Sequence, residues 1–116
     1  MTRTRIVVSL AALLISLLAN AGDINQDLIE AAQEGDTAAV QAMLAKGADV
    51  NAKDNTGQTA LMFAAMVGDT ATVEALLAAG ADVNARNIGG ATALIFAEAG
   101  GHTAVVELLK KAEAKK

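Results

Sequence analysis

Few side chains in this sequence are suited to catalysis. His102 is the single histidine, and Glu98 precedes it by four residues. A general acid–base pair needs both side chains within reach of one substrate. Gly100 and Gly101 interrupt the helical spacing between them, so we do not expect the pair to act together. We interpret His102 as a solvated structural residue at the start of a helix. We therefore expect that the chain is not an enzyme.

Metal and cofactor sites are not predicted either. The chain has no cysteine, which excludes disulfides, thiolate nucleophiles and cysteine-based zinc sites. An EF-hand loop needs acids at close alternate positions and a closing Glu, and this spacing is absent from Asp49, Asp54, Asp69 and Asp82. The paired glycines at 89–90 and 100–101 match neither GxxxxGK[ST] nor GxGxxG. We therefore expect no cofactor and no metal.

The charge balance argues against nucleic acid as a partner. The chain has nine basic and thirteen acidic residues, and without Arg3 and Arg5 the remainder has seven against thirteen, a net charge of −6. An acidic domain without a basic stripe has no electrostatic reason to bind a phosphate backbone. Phe63 and Phe96 lie 33 residues apart, which favours core packing over a ligand-stacking role.

Residues 1–21 have the layout of a secretory signal peptide. Arg3 and Arg5 precede an apolar run at 6–18, and Ala19-Asn20-Ala21 provides a small-x-small cleavage site. At 1.5 Å per residue this run spans roughly 20 Å, short of the roughly 30 Å hydrocarbon layer of a membrane. We expect cleavage after Ala21 rather than a retained membrane anchor. Residues 22–116 would then be periplasmic or secreted, without membrane contact, and the lysine-rich end reads as a soluble helix end rather than a membrane-surface patch.

A 33-residue period organises the rest of the chain. "GADVNAKDNTGQTAL" begins at Gly47 and "GADVNARNIGGATAL" begins at Gly80. A more divergent copy precedes these two and retains Leu28, Ala31, Gly35, Val40 and Met43. Self-similarity at a fixed period indicates stacked structural units, so the repetition is architectural.

Each unit is predicted to be a helix, a turn, a second helix and a projecting loop. Thr59 and Thr92 precede short apolar runs as N-cap residues, and Gly68 and Gly101 end these runs in the left-handed conformation. Asp69 suits the start of the second helix as a cap and as a negative charge. One helix pair cannot bury its apolar face alone, so stability should come from the stack.

Several short motifs carry a resemblance to a known family. The 33-residue period, two copies of "GADVNA", "TALMFAA", "TALIFA" and "VEALLAAGADVN" resemble the ankyrin repeat family over about residues 24–112. The resemblance implies an all-α solenoid of about three stacked helix-turn-helix repeats with projecting loops. The domain would cover 22–116, with a cap-like repeat at about 24–46, a full repeat at about 47–79 and a closing repeat at about 80–112. The chain looks like a small exported bacterial ankyrin protein.

The first helix of each unit departs from the family pattern. Where the family usually has Thr-Pro-Leu-His, this chain has Thr-Ala-Leu-Met at 59–62 and Thr-Ala-Leu-Ile at 92–95. We expect Met62 and Ile95 to replace a hydrogen-bonded link between units by apolar packing. Glu98 stands where the family usually has a small residue packed between helices, and two glycines follow it. The third unit should therefore be the less rigid one.

The resemblance implies protein recognition by the loop tips and the inner helices, without catalysis. The corresponding positions are Lys53, Asn55, Thr56, Gln58, Met66, Val67, Arg86, Ile88, Gly89 and Ala91. Exposed Met66, Val67 and Ile88 would form a contact patch, or would be ordinary scattered surface residues. The leading interpretation is an exported, monomeric adaptor or modulator with an unknown protein partner. The alternative is a periplasmic protective accessory protein that acts on several client proteins in stress.

Overall fold

Helices account for the regular structure of residues 23–114. The computed structural model describes residues 23–114, so the predicted signal peptide and its cleavage point lie outside the described residues. In chain order the helices are α1 (Asp23–Glu34), α2 (Thr37–Ala45), α3 (Ala60–Val67), α4 (Thr70–Ala78), α5 (Ala93–Ala99) and α6 (Thr103–Ala114). No strand forms within this range, where one isolated antiparallel bridge joins Lys53 to Thr59.

The six helices form two layers. Helices α1, α3 and α5 pack side by side in an inner layer, and α2, α4 and α6 pack side by side in an outer layer. Each inner helix also contacts the outer helix that follows it in the chain. Two loops project between successive helix pairs, the first at 46–59 and the second at 79–92. The predicted all-α stack of helix-turn-helix units is confirmed.

Short polar side chains start the helices at the predicted places. The Thr59 hydroxyl accepts a hydrogen bond from the Met62 backbone N–H at 3.3 Å, and the Thr92 hydroxyl accepts from Ile95 at 3.4 Å. The Asp69 carboxylate accepts from the Thr72 backbone N–H at 3.4 Å at the start of α4. These bonds satisfy amide donors that the first turn of a helix leaves unpaired, which explains where the helices begin.

Gly68 ends α3 in the predicted left-handed conformation, with φ at +80°. Its backbone N–H donates to the Ala64 carbonyl at 2.9 Å. The ring of His102, from the next helix pair, packs so closely on Gly68 that an added Cβ would overlap it. Both the backbone conformation and the lack of space therefore require glycine here.

Equivalent positions of successive repeats form one continuous core. The identical buried residues that recur at intervals of 33 are Leu28 and Leu61; Ala31, Ala64 and Ala97; Ala32 and Ala65; Val40 and Val73; Ala60 and Ala93; and Leu76 and Leu109. Phe63 and Phe96 are partly buried and pack against this core, as the core-packing interpretation predicts. The outer layer also holds a buried polar group, because the side chain of Thr72 is 0% exposed.

The Thr72 hydroxyl joins the first two repeats. It donates to a carboxylate oxygen of Asp69 at 2.7 Å and lies 2.8 Å from the Thr37 hydroxyl. A buried hydroxyl is costly when it lacks a hydrogen-bond partner, so these two contacts make the buried threonine tolerable. The same carboxylate that caps α4 thus also stabilises the contact between α2 and α4.

Ile95 does not pack between units, contrary to the sequence-based expectation. Met62 is 1% exposed because α5 covers it, whereas Ile95 at the equivalent position is 49% exposed. Within residues 23–114, no helix covers the far side of α5. Glu98 is exposed for the same reason, although the equivalent Ala65 is buried. A glutamate is therefore accommodated at this position without being packed between helices.

Candidate protein-binding surface

The two projecting loops lie directly against each other. The Ile88 backbone N–H of the second loop donates to the Thr56 carbonyl of the first at 2.9 Å. The Lys53 ammonium donates to the Arg86 carbonyl at 3.3 Å. Gly57 allows this close approach, since a Cβ there would lie 3.1 Å from the Ile88 nitrogen. The loops therefore form one hydrogen-bonded unit rather than two independent segments.

A side-chain amide fixes the base of the same loop pair. The Asp82 backbone N–H donates to the side-chain oxygen of Asn51 at 2.7 Å. In the first loop, the Asp49 backbone N–H is bound in the same way by Asn25 of α1, at 2.8 Å. Each loop is thus attached to the preceding repeat. This places the acids of "GADVN" in turns, as the sequence predicted.

A turn of the same type shapes each loop tip. One carboxylate oxygen of Asp54 accepts from the Thr56 N–H at 2.8 Å, the Thr56 hydroxyl at 2.7 Å and the Gln58 N–H at 3.0 Å. Partial burial of Asp54 acts to raise its pKa, but the hydrogen bonds from Thr56 and Gln58 outweigh it and lower the pKa. In the second loop, the Asn87 side-chain oxygen accepts from the Ala91 N–H at 3.0 Å.

The predicted binding residues differ in how far they are exposed. Those that are exposed are Lys53, Asn55, Thr56, Val67, Arg86, Ile88 and Gly89. Those that are partly buried are Gln58, Met66 and Ala91. Ile88 is 79% exposed, well above the 47% of Val67. The loop pair thus brings Lys53, Arg86 and Ile88 together on one projecting surface, while Met66 contributes less free surface than the sequence suggested.

His102 connects the last two repeats rather than lying free in solvent. Its Nε2 atom is 3.1 Å from the Met66 carbonyl oxygen, and the ring is partly buried. The equivalent residue of the middle repeat, Asp69, approaches Gly35 in the same way, since a Cβ on Gly35 would lie 3.2 Å from its carboxylate. The interpretation of His102 as a solvated residue was therefore wrong. Its ring is used as a structural contact.

Three helix pairs, a 33-residue period and stacked loop tips point to one repeat family. A family profile described as "Ankyrin repeats (3 copies)" matches residues 28–116. The chain belongs to the ankyrin repeat family. Ankyrin repeats are generally protein–protein interaction modules and are typically not catalytic. A search of curated proteins found no significant match to this ankyrin chain.

Two further observations concern the part of the ankyrin chain that the structure describes. None of its helices has the length and apolar character that crossing a membrane requires. Its His, Asp and Glu side chains also form no cluster of three that would suit a metal ion.

Sequence reasoning missed two features of this surface. The first feature is the exposure of Ile95, which lies on the outward side of the third helix pair. Its position in the last repeat was the sequence feature that could have indicated this exposure. The contact of His102 with Met66 had a fainter indication, namely that His102 occupies the position of Asp36 and Asp69 in the other repeats. Asp69 and His102 each pack on the glycine that separates the two helices of the preceding repeat, Gly35 and Gly68.

Proposed function

We propose that this ankyrin chain is an exported, non-catalytic and monomeric adaptor or modulator, which binds one protein partner through its loop tips and inner helices. The observation that supports this proposal is the hydrogen-bonded loop pair that presents Ile88 beside Arg86. Loops already fixed in place lose little conformational entropy on binding. Arginine is also enriched among residues that dominate binding energy at protein interfaces.

Export is the second part of the proposal. It is supported by the sequence of residues 1–21, with its two arginines, short apolar run and small-x-small site. N-terminal sequencing of the protein from the export compartment should begin at Gly22. A stable product that retains Met1 and fractionates with membranes would contradict this part alone.

The binding proposal is tested by crosslinked capture from the export compartment with residues 22–116 as bait. A double variant, Arg86→Ala with Ile88→Ala, should retain its stability because both side chains are exposed. We expect it to bind the captured partner at least about tenfold more weakly, equivalent to about 1.4 kcal/mol. Lys110→Ala is the matched control, since it removes an exposed cation from the outer layer.

The outcomes separate the two candidate functions. A single dominant partner that is lost with the double variant and retained with Lys110→Ala supports the adaptor. A broad mixture of captured proteins, with suppression of aggregation of a test protein, would instead favour the protective accessory. A dominant partner that binds the double variant normally would move the contact surface away from the second loop.

A further inference from the structure

We propose that the second loop tip binds a carboxylate of the partner, and that Asn87 determines this preference because it forms the turn without adding a negative charge. The inference rests on the proposed function and specifies the chemistry of the partner. The partner would present an extended segment with an acidic side chain and an apolar side chain at alternate positions.

The first step is a comparison of the two loop tips. Asp54 and Asn87 occupy equivalent positions, 33 residues apart, and both accept a hydrogen bond from the N–H four residues later, at 3.0 Å in each case. This bond is therefore common to both turns, although Asp54 also accepts two bonds from Thr56 and the Asn87 amide nitrogen also donates to the Gln58 side-chain oxygen at 3.5 Å. The first loop carries a carboxylate beside Lys53, whereas the second carries a neutral amide beside Arg86.

The second step concerns the two cations. Lys53 and Arg86 are also 33 residues apart, and the Lys53 ammonium lies on the Arg86 carbonyl at 3.3 Å. Both side chains are exposed. Two neighbouring exposed cations favour an anionic group from another molecule. The Asp54 carboxylate is adjacent to Lys53 in the chain, so the first loop tip offers less net positive charge to such a group than the second.

The third step concerns the apolar neighbour of Arg86. Ile88 lies two residues further along the second loop and is 79% exposed. In an extended segment, side chains at alternate positions point to the same side and are about 7 Å apart. An acidic residue and an apolar residue at alternate positions would therefore meet Arg86 and Ile88 together. This charge complementarity favours an acidic partner segment over a basic one.

The test uses a library of displayed random peptides of twelve residues, selected on residues 22–116. We expect the enriched peptides to combine Asp or Glu with an apolar residue two positions away. The enriched peptide with the highest affinity is then measured against Asn87→Asp, which retains the turn acceptor but adds a charge beside Arg86. We expect binding about two- to fivefold weaker, as for loss of an exposed ion pair, and weaker still in Arg86→Ala.

Matched variants separate charge from folding. Asn87→Asp should stay close to the melting temperature of the parent, since Asp54 supports the same turn in the first loop and the donation that is lost, from the Asn87 amide to Gln58, is long at 3.5 Å. Asp54→Asn makes the reverse change in the first loop and should leave peptide binding unchanged or slightly tighter. If Asn87→Asp melts at a much lower temperature than the parent, Asn87→Ser is measured in its place. Asn87→Ser adds no charge, so it should bind the peptide as tightly as the parent if charge causes the weaker binding.

Three results would overturn the inference: enrichment of basic or uncharged peptides, no enrichment at all, or acidic peptides that bind Asn87→Asp as well as the parent. These results leave the proposed function standing if the captured protein partner still depends on Arg86 and Ile88. Loss of that dependence, with acidic peptides still bound at the second loop, would instead contradict the proposed function alone.

Discussion

Gly68 packs closely against the ring of His102 in the next repeat. This contact predicts that a single added methyl group at Gly68 lowers the free energy of unfolding substantially. Gly68→Ala adds a Cβ at a residue with φ at +80°, directly against the ring of His102. The left-handed conformation costs an ordinary L-residue about 1–2 kcal/mol. The ring must also move, and its contact with the Met66 carbonyl, now at 3.1 Å, is then lost.

The magnitude follows from these two contributions. A lost intramolecular hydrogen bond typically costs about 0.5–1.5 kcal/mol, so Gly68→Ala should lower the free energy of unfolding by about 1.5–3.5 kcal/mol. Gly47→Ala is a control for the backbone contribution, because Gly47 has φ at +98° and no atom within 4 Å of an added Cβ. It should cost only about 1–2 kcal/mol.

The assay is urea unfolding of residues 22–116, followed by far-ultraviolet circular dichroism. So short a stack is expected to unfold as one unit. Gly68→Ala is measured in the parent chain and in His102→Ala, where the ring is absent. The cost should be smaller in the second background by about 0.5–1.5 kcal/mol, which is the coupling between the two sites. Equal costs in both backgrounds would show that the ring does not restrict Gly68, and no cost in either would refute the left-handed turn.

Three other predictions are tested by measuring the free energy of unfolding in the same way. Asp69→Ala should cost about 1 kcal/mol or more, because it removes the cap of α4 and one partner of the buried Thr72 hydroxyl; a neutral result would contradict both roles. The pKa of Asp54 is lowered in the folded chain, so its stabilising effect is present above the ordinary value of 3.8 and is lost as pH falls from about 5 through that value and below. Unfolding free energies measured between pH 6 and pH 3 should therefore fall less steeply for Asp54→Asn. Met62→Ala should cost about 2–5 kcal/mol, whereas Ile95→Ala at the equivalent, half-exposed position should cost clearly less, and equal costs would refute the difference in packing.

Repeat register allowed most of the fold to be predicted from the sequence. The caps at Thr59, Thr92 and Asp69 and the left-handed Gly68 follow from local chemistry, which is the same whatever lies next to the helix. Exposure of Ile95 depends instead on whether a further helix pair covers it. Periodicity alone assigns it the same buried place as Met62, so this expectation was wrong.

The candidate surface was less predictable because it depends on contacts between loops. The sequence identified Lys53, Arg86 and Ile88 as loop-tip residues, but not the hydrogen bonds that hold the two tips together. His102 shows the same limitation. Its side chain has no local partner that the sequence reveals, and its role depends on Gly68 and Met66 in the preceding repeat.

The differences between the second and third repeats have different physical meanings. Ile95 and Glu98 replace Met62 and Ala65 on a side of α5 that no helix between residues 23 and 114 covers, so packing places little constraint on them there. Asn87 replaces Asp54 inside a turn whose hydrogen bond is retained. The geometry of that turn is thus maintained while its charge is removed. The Asn87 amide keeps the acceptor oxygen and also donates to Gln58 at 3.5 Å. The neighbouring Arg86, and any molecule that binds there, therefore has one negative charge fewer beside it than Lys53 has in the first loop.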